Sequence, residues 1–122
     1  MTPSVIVTKD AERIGYEADV MLRKIDKLVT GKAAILLQEN NTILLLISIA
    51  KGIVESHLFT ADNPKTLFKS LAKFWNKVKQ SEIRRVYTDI TNPSVLEMSK
   101  RAGWNVQPSN MPRYNGMAVV KE

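Results

Sequence analysis

Residues 92–104 read Asn-Pro-Ser-Val-Leu-Glu-Met-Ser-Lys-Arg-Ala-Gly-Trp, a helix with both of its ends marked. Asn92 is placed to cap it, Pro93 takes the first helical position, where a missing N–H costs nothing, and Gly103 stops it after about Ala102. Thr91-Asn92-Pro93 repeats a signature from the earlier loop Ala61-Asp62-Asn63-Pro64, where Asp62 or Asn63 caps a second helix running to about Gln80. Leu67, Phe68, Leu71, Ala72, Phe74, Trp75 and Val78 form the apolar face of that helix, which places Phe68, Phe74 and Trp75 on its buried side. Between the two helices, Ile83 to Ile90 reads as a strand. Val106 and Gln107 begin a further strand, Pro108 to Arg113 is a loop, and Met117 to Val120 is a closing strand.

Upstream, Ala33 to Leu37 is an apolar run, Gln38-Glu39-Asn40-Asn41 a turn, and Thr42 to Ala50 a second and richer apolar run. Lys51-Gly52 is another turn, and Ile53 to Thr60 completes an antiparallel meander. Its middle strand is apolar on both sides, which requires cover on both faces of the sheet. At the N-terminus the β-branched run Val5-Ile6-Val7 predicts an opening strand. Asp10 then caps one helix carrying Ile14, Met21, Leu22, Ile25, Leu28 and Val29, which Gly15 weakens in its first turn and Gly31 ends. The expected order is βα, then βββ, then αβαββ. No linker, repeat or low-complexity segment divides the chain, which predicts a single domain over 1–122.

The chain has 122 residues, no cysteine, one histidine, and 18 Lys+Arg against 12 Asp+Glu, a net charge of +6. Lack of cysteine removes disulfides, thiolate metal sites and cysteine nucleophiles, and a lone His57 leaves no histidine-built metal site to expect. The longest apolar run, Ile43 to Ala50 with Ser48 inside it, falls short of the roughly 20 residues of a membrane helix. The N-terminus has no basic start followed by an apolar stretch, so a cytoplasmic location is expected and no membrane partner.

The 92–104 segment resembles the late helix of the Gcn5-related N-acetyltransferases (GNAT). Their pattern there is Asn, a small or apolar residue three on, an apolar one six on, usually Tyr seven on, then Gly and an aromatic at eleven and twelve. Asn92, Val95, Met98, Gly103 and Trp104 keep that spacing, and Ser99 stands at the Tyr position. The order of elements is similar along almost the whole chain. The resemblance implies an α/β, GNAT-like (acyl-CoA N-acyltransferase) fold, a mixed, mostly antiparallel sheet with helices on both faces.

In that family the fourth strand, here Ile53 to Thr60, and the helix after it hold acetyl-CoA. The resemblance therefore makes Phe59, Thr60, Ala61, Asn63, Lys65, Thr66 and Asn92 the cofactor-binding candidates. The family loop carries Gly-x-Gly or Gly-x-Ala, so that bare backbone N–H groups approach the pyrophosphate. Residues 60–66 contain no glycine, Pro64 has no N–H, and Asp62 adds a negative charge. Were the protein active, Glu55 or His57, which alternate with Phe59 onto one face, would serve as base, and Ser99 would have to replace the proton-donating Tyr. Glu55 and His57 read equally as an exposed sheet margin, and Ser99 as a solvent-facing helix serine.

Two departures, at the cofactor loop and at the proton donor, point to a degenerate member acting as a binding or assembly module. Small acetyltransferase-like proteins occur in tailed phages, one of them packaged inside the virion, and this chain is similar in size and in its short closing hairpin, Arg113 to Met117. That analogy implies a host-cytoplasm or virion location and a protein partner or a homo-oligomer. An active N-acetyltransferase is the alternative.

Lys65, Lys69, Lys73 and Lys77 recur every four residues, with Lys79 beside them, so they form one stripe on the second helix. The stripe reads as a solvated face whose lysine stems cover apolar surface. It also suits an acidic protein or, non-specifically, nucleic acid.

Overall fold

Among the described residues, three of the four helices open with a capping residue followed by proline. A computed structural model describes residues 1–90 and 92–122; Thr91, read above as the start of a loop, lies outside the described residues. Asn63 Oδ1 accepts the Thr66 N–H and Asn92 Oδ1 the Ser94 N–H, as the sequence suggests. Thr2-Pro3 does the same, with Thr2 Oγ1 accepting the Val5 N–H at 3.3 Å. This start nucleates α1 (Pro3–Ile14) where a strand is expected. The β-branched preference of Val5, Ile6 and Val7 gives way because Ile6, Val7, Asp10 and Ala11 fall on one helical face and are buried together.

Asp10 is thus an interior residue of α1 and not a cap. Gly15 adopts a φ of +97°, accessible to glycine at little cost, and its N–H closes α1 on the Ala11 carbonyl. The single helix expected after Asp10 is accordingly two, α1 and α2 (Ala18–Thr30).

The meander forms as expected, from β1 (Ala34–Glu39), β2 (Thr42–Ala50) and β3 (Ile53–Thr60). Beyond it come α3 (Pro64–Lys79), β4 (Arg85–Thr88), α4 (Pro93–Arg101), β5 (Val106–Gln107) and β6 (Gly116–Val119). Among the described residues the six strands lie in the order β1-β2-β3-β4-β6-β5, with only β3 and β4 parallel. β4 is shorter than the Ile83–Ile90 run. At its start the Ile83 N–H turns to Ser81 Oγ, and past its end the Ile90 N–H turns to Asn115 Oδ1, so neither joins the ladder.

Helices cover both faces. Ile43, Leu45 and Ile47 of β2 meet Ile6, Val7 and Ile25 of α1 and α2 on one side. Leu44 and Leu46 meet Phe74, Trp75 and Val78 of α3 on the other. Each such side chain contributes about 1.5–3 kcal/mol by leaving water. Trp104 donates from Nε1 to the Leu71 carbonyl at 2.9 Å, tying the chain after α4 to α3.

Candidate functional site

β3 and β4 pair from Ile53/Arg85 to Ser56/Thr88 and then diverge. The remaining half of β3, His57 to Thr60, has no β4 partner among the described residues. The alternation fixed by pairing with β2 turns the backbone groups of His57 and Phe59 toward β2 and those of Leu58 and Thr60 into the gap. The result is a cleft of about 300 Å³ that passes through the sheet, since Leu44 and Leu67 line it from the α3 side and Asp10, Arg13 and Tyr16 from the α1 side. His57, Asp89 and Asn92 add to its polar lining, with the smaller Ser56, Thr60 and Thr88.

The free edge of β3 is partly occupied by the protein itself. Asp10, only 2% exposed, accepts the Thr60 N–H at Oδ1 (3.2 Å) together with Arg13 Nη2 (2.8 Å), and the Tyr16 hydroxyl at Oδ2 (2.6 Å). The three donors compensate a carboxylate that burial would otherwise penalise. Burial, followed by the hydrogen bond to Asp10 and its charge, pushes the Tyr16 hydroxyl well above the usual phenol range.

Glu55 and His57 share one face of β3, with Glu55 Oε2 and His57 Nε2 3.4 Å apart. The Glu55 side chain is 17% exposed and His57 48% exposed. β3 is an interior strand, so the pair does not lie at a sheet margin; only His57 lines the cleft. Burial first, and then the Glu55 charge, raise the hydroxyl of the neighbouring Tyr114. Ser99 is not solvent-facing: it is 6% exposed, and its Oγ donates to the Val95 carbonyl at 2.9 Å within α4. That bond occupies its proton, and the residue does not line the cleft.

The loop after β3 is closed on itself. Thr60 Oγ1 lies 2.6 Å from Thr42 Oγ1 and accepts the Asp62 N–H, and the Ala61 N–H goes to the Asn41 carbonyl. Asp62 Oδ2 accepts the Asn41 N–H and Thr42 Oγ1. Asn63 holds the Thr66 N–H with its side chain and the Leu67 N–H with its carbonyl. Among the described residues this leaves the N–H groups of Asn63 and Lys65 to receive an anion at the start of α3. Phe59 is buried in the core under α1 and α2. A coenzyme A pyrophosphate would meet few donors and, in the adjoining cleft, the Asp10 carboxylate, and the residues present do not fit it.

The lysine stripe divides. Lys77 Nζ lies 2.8 Å and Lys73 Nζ 3.9 Å from the Glu39 carboxylate at the end of β1. The Lys79 carbonyl accepts Lys121 Nζ. Lys65 and Lys69, at the other end of α3, have no carboxylate within 4 Å among the described residues. Phe68 lies between them and is 37% exposed, not on the buried side. Sequence reading takes Asp10 for a helix cap and gives neither it nor Arg13 and Tyr16 a place in the site. The available signal was Thr2-Pro3, which turns residues 3–14 into a helix and sets Asp10 on the face of Ile6 and Val7.

No family model matches the sequence, and no curated protein does. Solved structures do resemble it. A variant of the spermidine N-acetyltransferase SpeG from Vibrio cholerae has a TM-score of 0.59 and 12% identity over 93% of this chain and 85% of its own. A ribosomal-protein-alanine N-acetyltransferase from Brucella melitensis gives 0.58 and 7%, over 95% and 90%. An N-acetyltransferase from Staphylococcus aureus gives 0.57 and 10%, over 97% and 92%. At such identities the likeness is one of architecture: the helices on both faces and the single parallel pair in a mixed six-stranded sheet are those of the Gcn5-related N-acetyltransferase fold.

Proposed function

We propose that this chain uses the acetyltransferase fold as a binding or assembly module and transfers no acetyl group. The observation that carries this reading is the Asp10 carboxylate on the Thr60 N–H, inside the cleft and beside the loop where the fold's cofactor phosphates would lie. A buried anion repels another, and a backbone donor already engaged cannot orient a second ligand. The internally bonded Ser99 agrees with it, since the chain then lacks a proton donor for a leaving thiolate at that position. A phage particle is one assembly such a module would serve, in the host cytoplasm or the virion. The partner is another protein or a second copy of the chain.

The contact between Glu55 and His57 favours a second reading, an active N-acetyltransferase with Glu55 as base. Titration calorimetry with acetyl-CoA separates the two. The first reading expects no heat of binding at micromolar ligand. Micromolar binding abolished by Lys65→Ala would overturn it.

A further inference from the structure

We infer that the groove between α3 and α4 is a docking site for an acidic amphipathic helix. Pro64, Lys65, Phe68 and Lys69 form one wall and Met98 and Arg101 the other. The floor is apolar and open to solvent. Phe68 is 37% exposed in the middle of a helix whose other large side chains, Leu67, Leu71, Phe74 and Trp75, are buried. An aromatic ring left in water between two helices is a ready anchor point for a third.

The rim selects the sign of the partner. Lys65, Lys69 and Arg101 are exposed, and none has a carboxylate within 4 Å among the described residues. Nearby acids do not neutralise them. Asp62 is turned into the β2 turn, where it is bonded to Asn41 and Thr42, and Glu97 on α4 makes no ion pair with Arg101. Lower on the same helix Lys73 and Lys77 do have a partner in Glu39. Cations without a carboxylate partner thus stand beside the apolar floor, on both of its walls. A helix with apolar residues at i, i+3, i+4 and i+7, flanked by Asp and Glu, matches both features.

Nucleic acid matches only the rim. Pro64, Phe68 and Met98 offer base edges no hydrogen-bond partner, and a single aromatic ring does not make a stacking platform. The assignment stands on the groove alone and is independent of whether the cleft binds acetyl-CoA.

The test uses the full chain and two fluorescein-labelled helical peptides with the same leucine face, one flanked by Glu and one by Lys, followed by fluorescence anisotropy. The Glu-flanked peptide is expected to bind at least roughly tenfold tighter than the Lys-flanked one. It should lose at least roughly tenfold in Phe68→Ala and again in the Lys69→Glu/Arg101→Glu double variant. Circular dichroism melts report that these exposed substitutions leave the fold intact. Equal binding of the two peptides, no binding of either, or affinity unchanged in both variants overturns the assignment. So does a single-stranded oligonucleotide that displaces the peptide and binds Phe68→Ala as well as the parent, which would make the rim a phosphate surface instead.

Discussion

The Asp10 carboxylate of α1 and the Thr60 N–H of β3, 50 residues apart in sequence, are joined by a 3.2 Å hydrogen bond across the point where the central sheet opens. The N-terminal helix thereby fills with its own anion a position on the strand edge that an extended ligand would otherwise pair with. One contact thus bears on both stability and function, and the two effects have opposite signs.

Asp10→Ala strands the Thr60 N–H, Arg13 and the Tyr16 hydroxyl around an empty site. Breaking such a buried, charge-assisted cluster costs about 3 kcal/mol, measurable as a lower urea midpoint at an unchanged m-value. The same variant removes the negative charge from the cleft. Its affinity for acetyl-CoA, measured in the cold where the variant stays folded, should exceed that of the parent. Affinity equal to the parent's would show that Asp10 is not what closes the cleft.

Tyr16 makes stability sensitive to alkali. Its hydroxyl is raised above the ordinary value of 10.0, first by burial and then by Asp10, so the folded state holds its proton where the unfolded state has released it. Stability from this bond is fully present below pH 10 and declines as pH rises beyond it. Tyr114 is shifted in the same direction. Urea midpoints should therefore fall above about pH 10, in step with the appearance of tyrosinate absorbance on unfolding, and less steeply in Tyr16→Phe. A midpoint flat through this range would contradict the Asp10–Tyr16 bond.

The meander, α3, α4 and the closing hairpin are legible in the sequence because local signals agree there. Asn63-Pro64 and Asn92-Pro93 fix helix starts, and the doubly apolar β2 demands helices on both faces. The first 30 residues are not, because at Val5-Ile6-Val7 β-propensity competes with the Thr2-Pro3 start, and burial of the Ile6/Val7 face against β2 decides in favour of helix. The site suffers most from that error. Asp10 acts through its place in α1, and Thr60 through a backbone N–H, which no side-chain motif reveals. Ser99 and Phe68 exchange their expected environments because α4 turns its serine inward and the α3–α4 spacing leaves the ring uncovered.

Glu39 sets how much of the lysine stripe is free. Its pairs with Lys73 and Lys77 are partly exposed, so Glu39→Gln should cost no more than about 1 kcal/mol in stability. It does release two cations in line with Lys65 and Lys69. Retention on duplex DNA at low salt should rise, and the dependence of log K on log salt should steepen by up to about 1.8 if both lysines reach phosphates. Unchanged retention would mean that α3 does not face the DNA.

Trp104, just past Gly103, ties the end of α4 to α3 through the Leu71 carbonyl and the Trp75 ring. Gly103 has a φ of +107°, and a Cβ there would lie 3.4 Å from Trp75 Cδ1, an ordinary contact, so strain rather than crowding opposes alanine. Gly103→Ala should cost about 1–2 kcal/mol. Trp104→Phe keeps the backbone but loses the 2.9 Å bond to the Leu71 carbonyl and part of the contact with Trp75, whose ring centroid lies 4.9 Å away. It should cost about 2 kcal/mol from the lost bond and the space left behind. If the groove is held open by this contact, Trp104→Phe also weakens the Glu-flanked peptide although Trp104 does not line the groove. A loss of stability with peptide affinity intact would show that α3 and α4 keep their spacing without it.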